Sequence, residues 1–154
     1  MHALKRILLV EDSPRDAELI LDALEANQLA NVVVHVRDGA DALDYLYRRA
    51  DFADRADDQP ALILLDLKLP KVDGLEVLRQ IKKDLALRVI PVVMMTSSRQ
   101  ERDLLLSYEL GVNAYVVKPM KFQDFVEAVK QVGVFWAVVN ELPGSPQHPA
   151  DHAN

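Results

Sequence analysis

The 154-residue sequence contains no cysteine. That excludes a disulfide framework, a thiolate zinc site and a cysteine nucleophile. It also lacks any apolar run near the ~20 residues needed to span a bilayer. The apolar stretch after Met1–Arg6 is only Ile7 to Val10, too short for a secretory signal. An excess of basic residues is missing too: 18 Lys and Arg against 24 Asp and Glu leave a formal charge of −6. Such a balance argues against binding nucleic acid or an anionic membrane through bulk electrostatics. The four histidines, His2, His35, His148 and His152, are scattered, and no pair has helix-face spacing with a carboxylate partner, so no histidine metal site is expected. A cytoplasmic, globular protein is the default expectation.

Half of the residues are hydrophobic and 27% are charged, an ordinary globular balance. The length suits one domain, which buries roughly 70% of the surface its unfolded chain exposes. Short apolar bursts alternate with amphipathic stretches. Ile7–Val10, Val32–Val36, Ala61–Leu65, Ile90–Met95 and Ala114–Val117 read as strands. Between and after them, helical spacing covers a first helix opened by Ser13-Pro14-Arg15-Asp16, then Asp38–Arg49, Leu75–Ile81 behind Asp73-Gly74, Arg99–Leu110, and Phe122–Val139. Ser13 is placed to cap the first helix, with Asp16 as the capping-box acid. Asp51–Gln59 reads as a solvated polar loop. Pro143, Gly144, Pro146 and Pro149 forbid regular structure, so a domain over 1–142 and a disordered tail over 143–154 are expected.

Strands that are continuous apolar runs belong to a parallel sheet covered on both faces. With right-handed crossovers, the expected fold is α/β, a flavodoxin-like doubly wound five-stranded parallel sheet of order 2-1-3-4-5. Working clefts in such sheets lie beyond the carboxyl ends of the strands. The residues there are Glu11 and Asp12 after strand one, Asp66 after strand three, Thr96 after strand four and Lys118 after strand five. Strands one and three are neighbours at the switch point, so three carboxylates should converge. Their mutual repulsion is relieved by protonation or by a hard divalent cation, and an all-oxygen site with room for water suits Mg²⁺. Lys118 adds a point charge and Thr96 a hydroxyl donor. Together they form a phosphoryl-transfer set.

The same residues resemble the receiver domain of two-component response regulators. The resemblance rests on Glu11-Asp12, on Leu65-Asp66-Leu67-Lys68-Leu69-Pro70 with Asp73-Gly74 behind it, on Thr96-Ser97 and on Lys118-Pro119. It implies that Asp66 is the phosphoacceptor, taking its phosphoryl group from a phosphohistidine on a sensor histidine kinase. It implies Mg²⁺ on Glu11, Asp12, Asp66 and the backbone carbonyl of Lys68. Thr96 would track the phosphoryl group, Lys118 would pair with it, and Tyr115 would be the switch aromatic. A cis Lys118–Pro119 bond is also implied. Lys68 and Ser98 depart from the small or acidic residues found at those places in many receivers, which leaves the phosphoryl lifetime open.

Within the family, the long Asp51–Gln59 loop, Leu69–Gly74 and the late Phe135-Trp136 resemble the single-domain regulators of bacterial phytochrome kinases. Such a regulator would signal to an unknown downstream protein by contact, without nucleic acid or membrane. Val134, Phe135, Trp136 and Val138 leave the last helix almost without a polar face, so a homodimer through it and strand five is expected. Leu19 and Leu21 widen the apolar stripe of the first helix, which by resemblance would receive the kinase. Two other readings stand beside this one. A small aspartyl-nucleophile phosphatase would need a general acid where Lys68 stands. A phosphorylation-independent adaptor would have no use for the complete site.

Overall fold

Every predicted apolar run forms a strand, shifted by no more than two residues from the expected start. In the computed structural model, residues 6–26, 33–97, 100, 111–112 and 114–132 are described. The order is β1 (Ile7–Val10), α1 (Pro14–Ala26), β2 (Val33–Val36), α2 (Gly39–Tyr47), β3 (Leu62–Asp66), α3 (Gly74–Lys83), β4 (Val92–Thr96), β5 (Ala114–Val117) and α4 (Phe122–Val132). All pairings are parallel and the sheet order is β2-β1-β3-β4-β5. The expected helix over Arg99–Leu110 lies outside the described residues except for exposed Gln100. The part of the last expected helix beyond Val132 lies outside them too.

Strand side chains alternate between faces, and that period builds two cores. Ile7, Leu9, Leu62, Leu64, Val93 and Met95 face α1 and α4, where Ile20, Leu24 and Phe125 meet them. Leu8, Val10, Ile63, Leu65, Val92 and Met94 face α2 and α3, where Leu43, Leu46, Val77 and Ile81 meet them. Both faces are thus closed to water, and the central strands β1, β3 and β4 are buried throughout. That explains why no strand here shows polar alternation.

Helix starts lie at the carboxyl edge of the sheet, and two of them grip the chain that follows β3. Asp38 caps α2 through the Asp41 amide at 2.7 Å, and Asp73 caps α3 through the Leu75 amide at 2.8 Å. Each cap is followed by a glycine. A Cβ on Gly39 would collide with the Val72 carbonyl oxygen, and one on Gly74 with the Asp66 and Leu67 carbonyl oxygens. Gly39 N–H donates to Pro70 (3.3 Å) and Gly74 N–H to Leu67 (3.0 Å). The loop that leaves Asp66 is therefore held from both sides by backbone that only glycine allows so close.

The Asp51–Gln59 segment is solvated along Asp51, Ala53, Asp54, Ala56 and Asp58, as expected, but its other side chains turn inward. It opens with a 3₁₀ turn over Ala50–Phe52 and then folds around Arg55, whose side chain is 7% exposed. The guanidinium stacks 3.9 Å over the Tyr45 ring and donates to the Tyr45 carbonyl (3.1 Å), the Asp58 carbonyl (3.1 Å) and Gln59 Oε1 (2.6 Å). Gln59 in turn donates to the Leu46 carbonyl at 2.8 Å. Asp57 pairs with both Arg55 (3.2 Å) and Arg6 (2.9 Å). Composition marked this stretch as polar; it did not show that the Arg55 side chain turns inward against α2.

Gly74→Ala is expected to cost at least about 2 kcal/mol of folding stability, because the new methyl must displace main chain and not a pliable side chain. Urea unfolding of the variant checks it; an unchanged midpoint would mean the Asp66 loop is not gripped as described.

Candidate functional site

Strand register brings the predicted residues together. Val10 lies opposite Leu65, so Glu11 emerges beside Asp66, the last residue of β3. Asp66 lies opposite Met95, and Thr96 lies opposite Val117. Lys118 N–H donates to the Thr96 carbonyl at 2.7 Å, which fixes where the lysine leaves the sheet. The preceding expectation of a cis Lys118–Pro119 bond holds.

Glu11, Asp12 and Asp66 each offer a carboxylate oxygen within 4.8 Å of the others. Glu11 and Asp66 are buried, while Asp12 is exposed. At an effective dielectric of about 20, each such pair repels by roughly 3–4 kcal/mol. Lys118 is the counterweight. Its Nζ is 2.7 Å from Glu11 Oε1, 3.1 Å from Asp66 Oδ2 and 3.2 Å from Asp16 Oδ2. Burial pulls the lysine toward its neutral form, but the Glu11 and Asp66 carboxylates overcome that and hold it above the ordinary lysine value. Asp66 is pushed the other way. Burial, reinforced by the Glu11 charge and only partly offset by Lys118, raises it from 3.8 to about 7.

The donor set fits a hard cation. All donors are oxygens, two of the three carboxylates are buried, and one side is open through Asp12. Glu11 Oε1 is buried and, although Lys118 is near, receives no hydrogen bond of good direction. A buried carboxylate oxygen with spare capacity beside two other carboxylates is what a divalent ion would satisfy.

The turn carrying Glu11 and Asp12 is tied down by its surroundings. Glu11 N–H donates to Val36 at 3.1 Å, and Ser13 N–H donates to Glu11 Oε2 at 3.1 Å. His35 Nε2 lies 2.9 Å from the Glu11 carbonyl oxygen. The sequence had given His35 no role beyond its place in the second strand. Asp16 was also read too narrowly. Ser13 Oγ does cap α1 through the Asp16 amide at 3.2 Å, but the Asp16 side chain turns to Lys118. A carboxylate in the first turn of a helix that starts at the switch point was the available signal.

Thr96 is buried at the end of β4, and Lys68 is exposed two residues past Asp66. Tyr115 is half-buried on β5, packed against the α2–α3 core. Val134, Phe135, Trp136 and Val138 lie outside the described residues.

Residues 7–130 match the response regulator receiver domain family. The chain belongs to that family. Among solved structures, this receiver resembles the bacteriophytochrome response regulator RtBRR, with 62% identity, a TM-score of 0.84, and coverage of 92% of this chain and 86% of that one. The bacteriophytochrome response regulator AtBRR is 60% identical at a TM-score of 0.85, covering 90% of this chain and 99% of that one. Response regulator Rcp1 of Synechocystis sp. (strain PCC 6803) is 40% identical over 141 residues, 92% of this chain and 95% of Rcp1. Its Mn²⁺-bound form superposes with a TM-score of 0.69, covering 91% of this chain and 99% of that one. The receiver is thus related to phytochrome response regulators, and receivers work with sensor histidine kinases. No helix among its described residues is long and apolar enough to cross a membrane.

In metal-free protein the raised Asp66 value makes folding stability depend on pH. Folded Asp66 keeps its proton to about pH 7, whereas the ordinary carboxyl loses it near 3.8. Its stabilising contribution is therefore complete below about pH 3.8 and is lost as pH rises through about 7. With EDTA present, the stability of Asp66→Asn relative to the unsubstituted protein should rise from pH 5 to above pH 7, by on the order of 2 kcal/mol between those two points. Urea titrations at the two pH values check this; curves that run parallel at both would refute it.

Proposed function

We propose that this receiver is a phosphoryl-accepting switch with Asp66 as acceptor. The convergence of Glu11, Asp12 and Asp66 oxygens within 4.8 Å, with Lys118 Nζ 3.1 Å from Asp66, carries this reading. The donor is a phosphohistidine on a sensor histidine kinase. An ionised Asp66 oxygen forms a bond to phosphorus as the phosphorus–nitrogen bond breaks. The electron pair of that bond stays on the imidazole nitrogen, which takes up a proton. The product is an acyl phosphate on Asp66.

Residues of this chain hold the reacting groups. Glu11, Asp12, Asp66 and the Lys68 carbonyl are the ligands for Mg²⁺. When bound, the ion neutralises the carboxylates and the phosphoryl oxygens they would otherwise repel. Lys118, kept charged by its carboxylate neighbours, pairs with a phosphoryl oxygen. Thr96 offers its hydroxyl to another, and Tyr115 follows Thr96 as the switch aromatic. Output is by protein contact. The similarity to the two bacteriophytochrome regulators supports a phytochrome-class kinase as partner.

We also propose a receiver unit over 1–142 and a homodimer through Val134, Phe135, Trp136 and Val138. A cytoplasmic location and the lack of turnover chemistry beyond self-dephosphorylation belong to the same reading. The phosphatase alternative is disfavoured because exposed Lys68 stands where its general acid would be.

A labelled, autophosphorylated phytochrome-class histidine kinase should pass its label to this protein in Mg²⁺. Asp66→Asn should drop the label to background, EDTA should do the same, and Lys118→Ala should slow transfer at least tenfold. Acid-labile label arriving undiminished on the Asp66→Asn protein would overturn the assignment.

A further inference from the structure

Lys118 has three N–H donors and three carboxylates around them. Glu11 Oε1, Asp66 Oδ2 and Asp16 Oδ2 lie 2.7, 3.1 and 3.2 Å from Nζ. A phosphoryl oxygen on Asp66 enters a shell where three carboxylate oxygens already lie within 3.2 Å of one ammonium, so it competes with them for the same charge. The three partners differ in how easily they let go. The Glu11 side chain is fully buried, and its other oxygen is held by the Ser13 amide. Asp66, as the acceptor, carries the phosphoryl group itself. Asp16 is different. Its side chain is 33% exposed, so it can turn from Lys118 into water at little cost.

Asp16 is nevertheless well placed to hold the lysine before that happens. It sits in the first turn of α1, its backbone fixed by the Ser13 cap. Lys118 Nζ donates to Oδ2 at 3.2 Å, and hydrogen bonds between ionised partners are the strong ones.

We propose that Asp16 is a positioning residue that draws the Lys118 ammonium toward α1 and competes for it with a phosphoryl group on Asp66. It acts on the charged end of Lys118, and through it on how firmly the acyl phosphate is held. The proposal rests on Asp66 being the acceptor.

Beryllium fluoride with Mg²⁺, which builds a tetrahedral phosphoryl mimic on a carboxylate, provides the test, read as affinity by calorimetry on the full chain. Asp16→Asn should bind the mimic roughly tenfold more tightly, since a charge-assisted hydrogen bond no longer has to be broken. Asp16→Glu, which still reaches Lys118, should stay near the unsubstituted value. In a Lys118→Ala background, Asp16→Asn should change affinity by less than about twofold. Unchanged or weaker binding by Asp16→Asn overturns the proposal. So does an equal gain without the lysine, which would be plain charge repulsion. Both of those outcomes leave the acceptor assignment standing. Equal binding by Asp66→Asn, or none by the unsubstituted protein, would instead bring down the acceptor assignment and the Asp16 proposal together.

Discussion

One ammonium group stands among more carboxylates than it can neutralise, and the site is organised around that imbalance. Lys118 reaches Glu11, Asp16 and Asp66 at once, yet burial and the Glu11 charge still raise Asp66 to about 7. The folded chain holds Glu11, Asp66 and Lys118 together because they sit at the ends of neighbouring strands of the sheet. Hydrophobic burial on both faces of the sheet supplies the favourable free energy, and the edge of the sheet bears the electrostatic cost. A cation or a phosphoryl group thus meets a pocket whose charges were placed in advance of its arrival.

The scaffold around this edge is backbone more than side chain. Gly39 and Gly74 let two helix starts press on the loop after Asp66. Asp38 and Asp73 cap those starts, and Lys71, in the left-handed region at φ 67°, reaches back to Asp38 at 3.5 Å. On the opposite flank, Val36 and His35 of β2 hold the Glu11 turn through its main chain. Most of the site's geometry is therefore set by groups that never touch the reacting atoms.

Much of this is legible in the sequence. Strands buried on both faces are written as unbroken apolar runs, so their existence, parallel pairing and order followed from period and connectivity. The five principal site residues were legible because a parallel sheet puts its strand ends on one edge. What could not be read were contacts between residues far apart in sequence whose local context offers a simpler role. Asp16 resembles a capping acid until Lys118, 102 residues later, is seen beside it. His35 is one polar residue in a short strand, and nothing local says that its ring meets a carbonyl of the neighbouring turn. Arg55 lies in a stretch whose composition matches solvent-exposed loops. Only the Tyr45 ring beneath it and the carbonyls around it show otherwise.

The Arg55 knot also sits far from the chemistry. It joins the end of α2 to the start of β3 and, through Asp57 and Arg6, to the start of β1, at the amino ends of the strands. Glu11, Asp66, Thr96 and Lys118 occupy the other ends. Evolution can thus vary the durability of this molecule at one pole and the persistence of its signal at the other, with the sheet standing between as an insulator.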